Sequence, residues 1–194
     1  MRIKYNAPTV LTYTFISAAV LILSQTAVRS LTEQWFVIYG KGNFSIKSLR
    51  SWITLFTHVL GHKNWIHLVS NFTFVLLIGP ILEEIYGSFL LFIMICITAI
   101  VTGALHAVLF SAGLLGASGV VFMMILLASF TNFKKGEVPL TFILVLIIYL
   151  GRELFEAFGS GNRSDISYFT HIVGGFIGSL FGFFSPDKYR KRQN

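Results

Sequence analysis

Hydrophobic and polar positions fall along this chain in long blocks. Six apolar blocks approach the length needed to cross a bilayer core of roughly 30 Å, which takes about 20 helical residues. They run 8–28, 65–85, 89–110, 114–130, 138–158 and 166–184. Polar and basic residues collect between them and at both ends, including a basic tail over 185–194. The pattern predicts an all-α polytopic membrane protein: one six-helix domain over 1–194, with both termini on the same side.

Most connections are short. The exception is 29–64, about 36 residues long, which carries Trp35, Phe36 and Trp52. A loop of that length without structure of its own is usually functional. Its aromatic residues favour the membrane interface, so short helices lying flat are expected there. The fourth block is the shortest: its 17 residues extend about 25 Å as a helix. It is entered through Gly113, Gly116 and Gly119, so its N-terminal end is expected to start below the membrane surface. Non-helical backbone at that depth is tolerated only where it is buried in protein or lines a wet cavity. Ser118 would then stand at the floor of such a cavity.

Composition agrees with the block pattern. The 194 residues are 55% hydrophobic and 12% charged, against roughly 25% charged in soluble domains, and the mean hydropathy is +0.75. The net charge of +7 forms no dense patch interleaved with aromatics, so nucleic acid is not expected as a partner. Cys96 is the single cysteine, which leaves no disulfide framework within the chain. The first block follows Met1-Arg2-Ile3-Lys4. It is too long for a signal-peptide core, and Ser30 and Thr32 make no convincing cleavage site, so a retained span is expected. Cytoplasmic termini would place Arg2, Lys4, Lys134, Lys135, Lys188, Arg190, Lys191 and Arg192 on that side. Arg29, Lys41, Lys47, Arg50, Lys63 and Arg163 would lie opposite. The balance leans towards cytoplasmic ends under the positive-inside rule.

Against this apolar background the few polar groups stand out, because ionisable side chains at membrane depth are costly and often functional. Gly116-Ala117-Ser118-Gly119 fits two readings: a small-residue helix contact, or a nucleophile at a helix N-terminus whose free N–H groups stabilise an oxyanion. His171 lies in a block with almost no other polar group. Three residues later comes Gly174 and then Gly178, a pair that lets helix backbones approach closely. That face would press against a small-residue partner, and Ala117 and Gly119 supply one. A neutral imidazole beside a serine hydroxyl is a general base; alone, His171 could also be a packing residue, a proton relay or a metal ligand. His67 and Asn71 are four apart on one helix face. Both can donate to a tetrahedral oxyanion or act as interhelical polar contacts.

Other constellations carry less. His58 and His62 have ligand spacing, but His67 falls about 140° away around a continuous helix, and no HExxH arrangement exists. No metal and no cofactor are expected. His62 is read as orienting the loop and His106 as structural. Glu83, Glu84, Glu153, Glu156 and Asp165 have no evident claim to orient His171, which leaves a Ser–His dyad.

These residues together resemble the rhomboid family of intramembrane serine proteases, most like its compact six-span bacterial type. The likeness runs from about Trp52 to Gly178. It is carried by Gly116-Ala117-Ser118-Gly119-Val120-Val121-Phe122, by His62, His67 and Asn71 in the order HxxxxHxxxN, by His171-xx-Gly174-xxx-Gly178, and by Glu83-xxx-Gly87. The resemblance implies Ser118 as nucleophile and His171 as general base. It also implies an oxyanion hole of His67, Asn71 and the Ser118 N–H, with Gly116, Gly119, Phe122, Gly174 and Gly178 in support. It further implies a membrane-embedded first loop, a cap over 159–167 and the fifth span as substrate gate. Three positions depart from the family pattern: Trp52 is followed by Ile53-Thr54 instead of pairing with Arg, Thr170 replaces the common Ala before the histidine, and Phe122 stands where Tyr is frequent.

The function expected is intramembrane serine endopeptidase, through an acyl-enzyme on Ser118. The partners would be single-span membrane protein substrates and membrane lipid. The location would be a bacterial inner membrane with cytoplasmic termini. A non-proteolytic rhomboid-like membrane chaperone or binding protein is the alternative. A transporter using His67 and His171 as proton relays would call for internal repeats, and none is evident.

Overall fold

The structure, a computed structural model, describes residues 3–130 and 165–184, together with 140, 143, 144, 147 and 148, which are helical. The remainder of the fifth block, the proposed cap up to residue 164 and the basic tail lie outside the described residues. Helix α1 (Pro8–Thr26) leads into a loop with two short helices, α2 (Leu31–Trp35) and α3 (Leu49–Thr57), and a 3-10 turn (His58–Leu60). Then come α4 (Trp65–Tyr86), α5 (Ser88–Leu109), α6 (Ser118–Ser129) and α7 (Asp165–Phe184). Among the described residues, α1, α4 and α5 are long and apolar enough to cross a membrane, and α6 and the 168–184 part of α7 are shorter apolar helices.

Local chemistry sets the helix ends. α1 opens with Pro8 at its first position, where the missing N–H costs nothing. Its next two N–H groups, from Thr9 and Val10, donate to the buried carboxylate of Glu83 at 2.8 and 3.0 Å. A carboxylate is favoured at that positive helix end. The Thr9 hydroxyl also donates to the Ser88 carbonyl at 2.9 Å. The start of α1, the end of α4 and the start of α5 are thereby tied together on one face. Gly87, at φ +83°, makes the tight turn between α4 and α5 that a residue with a Cβ would resist. At the other end of α4, the Asn64 side chain accepts from the His67 N–H at 2.8 Å, an N-cap.

The first loop packs across the opposite face. Leu49, Trp52 and Phe56 are exposed along one side of α3, while Thr54 and Leu55 turn inward, as suits a helix lying in the interface. Arg50 donates to the carbonyls of Gln34 and Glu33, and the Trp52 indole donates to the Ile46 carbonyl at 3.0 Å. Although the family's adjacent Trp-Arg pair is missing, Arg50 and Trp52 both bind loop backbone. The Tyr13 hydroxyl reaches from α1 to the Val59 carbonyl at 2.9 Å.

The fourth block differs from its sequence reading. Residues 114–117 are not helical. Strand β1 (Ile38–Tyr39) pairs antiparallel with strand β2 (Gly113–Leu114), Ile38 opposite Leu114, and helix begins only at Ser118. Burial of Ile38 and Leu114 together, and a φ of +119° at Gly116, hold the segment out of the helix. The strand pair is a small addition to a helical membrane bundle.

α6 is buried on almost every side, from Gly119 to Leu127, which marks it as the central helix. Its neighbour α7 packs at backbone contact. A Cβ on Gly174 would fall 2.1 Å from the Gly119 carbonyl oxygen, and one on Gly178 would fall 2.2 Å from that of Met123. Farther along, Gly182 meets the ring of Phe130. Contacts that advance together along both chains mean that α6 and α7 run parallel. Phe130 and Asp165 therefore stand at opposite ends of the pair.

Candidate active site

Three elements converge on the turn that leads into α6. The Gly116 N–H donates to the His58 carbonyl at 2.9 Å, and the Ala117 N–H donates to Nε2 of His62 at 3.4 Å. Ser118 follows as the first residue of α6, half-buried. The first helical hydrogen bond here runs from Val121 N–H to the Ala117 carbonyl at 2.9 Å. The N–H groups of Ser118, Gly119 and Val120 thus have no acceptor within the helix, and they point where negative charge would be welcome.

The first turns of α4 supply the second element. Nδ1 of His67 accepts from the Lys63 N–H at 3.5 Å, which leaves the ring proton on Nε2 as a donor. A Cβ on Gly116 would lie 2.8 Å from that Nε2 and 3.8 Å from Nδ2 of Asn71. Only glycine fits the turn, both for its positive φ and for this crowding. Asn71 is 8% exposed, and its Nδ2 has no hydrogen-bond partner among the described residues. A buried donor left unpaired costs roughly 1–3 kcal/mol, an expense that a functional role can explain.

The third element is α7. The ring of His171 rests on that of Phe122, centroids 4.4 Å apart. Phe122 is one turn beyond Ser118 on the same face of α6, so His171 is carried to the Ser118 side of the helix. It also lies within electrostatic reach of His67. Thr170, buried beside it, lays its methyl group over Gly119. The threonine that departs from the family's alanine thus fills space against the start of α6.

Ser118, His67, Asn71, Gly116, Gly119, Phe122, His171 and Gly174 are therefore brought together at the start of α6, with Gly178 one turn farther along, against Met123. The histidines of the first loop serve it from behind. Nδ1 of His58 binds the carbonyls of Thr54 and Leu55 at 3.2 and 3.1 Å. Burial pulls its pKa down to about 4, aided by His106 and opposed by those two bonds. His62 is likewise pulled down to about 4, by burial first and by His67 second. Nε2 of His106 donates to the Ala112 carbonyl at 2.7 Å and so anchors the approach to β2. The rings of His62 and His67 are 5.0 Å apart, but no group of three or more His, Cys, Asp or Glu among the described residues could hold a metal ion. Glu83 lies at the far face, capping α1.

Sequence reasoning missed the hydrogen bond from Ala117 to His62, the use of the His58 carbonyl, and Gly182 as a third glycine on the α7 stripe. The last was legible, since Gly182 follows Gly178 at the same spacing of four. The first two join residues more than fifty positions apart and have no local signature.

Residues 49–187 match the Rhomboid domain family. Among curated proteins, the chain is 26% identical over 180 residues to rhomboid protease GluP of Bacillus subtilis, an alignment covering 89% of this chain and 34% of that protein. It is 22% identical over 162 residues to the chloroplastic rhomboid-like protein 11 of Arabidopsis thaliana, covering 76% of this chain and 58% of that one. The chain spans only part of the length of both relatives.

Proposed function

The chain belongs to the rhomboid family, and from that premise we propose that it is an intramembrane serine endopeptidase. Family and apolar helices together make it an integral membrane protein. In the reaction proposed, the Ser118 hydroxyl attacks a peptide carbonyl in a substrate's membrane segment while His171 takes its proton. The Ser118 N–H, His67 Nε2–H and Asn71 Nδ2–H stabilise the tetrahedral oxyanion. His171 then gives the proton to the leaving amine, and water hydrolyses the acyl-enzyme with His171 again as base. No cofactor takes part.

The observation that carries this reading is the buried Nδ2 of Asn71, without a hydrogen-bond partner among the described residues, beside the turn that presents Ser118. A packing role alone would favour a paired or an apolar side chain there. The substrates proposed are single-span membrane proteins. The location proposed is a bacterial inner membrane with cytoplasmic termini, which puts the Ser118 end of α6 towards the outer surface, opposite the Glu83 cap.

The test is labelling of detergent-solubilised protein with a fluorophosphonate probe. The expected result is a single adduct on Ser118, absent from Ser118→Ala and strongly slowed in His171→Ala. Labelling that survives loss of Ser118 overturns the assignment.

A further inference from the structure

We infer that His62 is a positioning residue of this site: its Nε2 holds the Ala117 N–H and so leaves the Ser118 N–H as the amide presented to the oxyanion. The inference rests on the reading of Ser118 as nucleophile and goes beyond it, because His62 touches neither substrate nor reacting atoms.

The geometry makes His62 an acceptor. Its Nδ1 lies 3.2 Å from the Leu60 carbonyl, a group that can only accept, so the ring proton belongs on Nδ1. Nε2 is then a bare lone pair, and the Ala117 N–H points at it. The ring is 1% exposed, which favours its neutral form, and it is wedged edge-on between His67 and Phe72 at 5.0 and 5.5 Å. It has little room to swing away. The backbone behind it is equally fixed, since a Cβ on Gly61 would fall 2.6 Å from the Phe36 carbonyl oxygen.

Consecutive N–H groups of the turn are thereby assigned. Gly116 donates to His58, Ala117 donates to His62, and Ser118 is the first left without an acceptor in the loop or the helix. Ala117 is itself fully buried, so water offers its N–H no replacement. Without the His62 acceptor, the peptide between Gly116 and Ala117 would have to rotate to satisfy that N–H. A glycine on its N-terminal side makes such rotation easy. The rotation would turn Ser118 out of register with His67 and Asn71.

The experiment compares the rate of fluorophosphonate labelling and the thermal midpoint for the full chain in detergent, with His62→Leu and His62→Gln. Glutamine places its amide oxygen where Nε2 stands and can accept from Ala117; leucine cannot. A misplacement on the order of 1 Å costs about 100-fold in rate. The expected result is a loss of that size in His62→Leu and recovery to within about tenfold of the parent rate in His62→Gln. If His62→Leu does not fold, His62→Asn, too short to reach Ala117, takes its place in the same comparison. Parent-like labelling of His62→Leu, or a glutamine variant as slow as the leucine one, overturns the inference while the Ser118 assignment stands. Labelling that persists in Ser118→Ala overturns both.

Discussion

The imidazole of His171 lies on the ring of Phe122, with centroids 4.4 Å apart and ring planes inclined at 41°. One side chain of the central helix thus supports the proposed base, one turn from the proposed nucleophile. Ring contacts of this kind are worth roughly 0.5–1.5 kcal/mol, which corresponds to about twofold to tenfold in the population of the supported orientation. Phe122→Ala is expected to slow labelling of Ser118 by about that factor, and Phe122→Tyr to retain the parent rate. A labelling time course with both variants checks this, and equal rates in all three would remove the supporting role.

Asn71 should show activity and stability moving apart. Its buried Nδ2 has no partner among the described residues, so the folded protein bears the cost of burying it. Loss of an oxyanion donor typically costs about 100- to 1000-fold in kcat. Asn71→Leu, which keeps the side chain's branching and heavy-atom count but has no polar atom, is expected to lose activity on that scale while its thermal midpoint holds or rises. Rate and midpoint falling together would mark Asn71 as a packing residue.

The glycines of α7 should rank by what stands opposite them. Alanine at Gly174 or Gly178 meets the backbone oxygen of Gly119 or Met123, whereas alanine at Gly182 meets the side chain of Phe130. Backbone cannot step aside without moving a helix, while a phenyl ring can turn. Overpacking costs typically about 1–3 kcal/mol, and Gly174→Ala and Gly178→Ala are expected at its upper end, with Gly182→Ala below them. Thermal melts of the three variants give the order.

Acid should destabilise the fold over a defined window. His58 and His62 are held near pH 4, by burial above all, from an ordinary value of 6.5. Between those values the unfolded chain binds protons that the folded chain refuses, so stability rises with pH from about 4 to about 6.5 and levels off above. Thermal midpoints across pH 4 to 8 should follow that shape. His62→Gln removes one of the two groups and should make the slope shallower.

Much of the site could be read along the chain because its residues are rare in their surroundings. A histidine in an apolar span, a serine among glycines and an HxxxN pair are conspicuous where nearly everything else is aliphatic or aromatic. Helical periodicity then assigned His67 with Asn71, and His171 with Gly174, to common faces. The start of α6 was less legible. Leu114 is as apolar as the span it precedes, and only its pairing with Ile38 shows that it belongs to a strand.

The amino-acid sequence by itself determined the apolar helices among the described residues, except where α6 starts, and the polar groups available to them, because hydropathy and helical period act over neighbouring residues. Only the tertiary structure decided that Glu83 caps α1, that α6 and α7 run parallel at backbone contact, and that His62 accepts from Ala117. The physical reason is the same in each case. A buried donor or acceptor must find its partner wherever the packed helices bring one, at separations along the chain that no local pattern can specify.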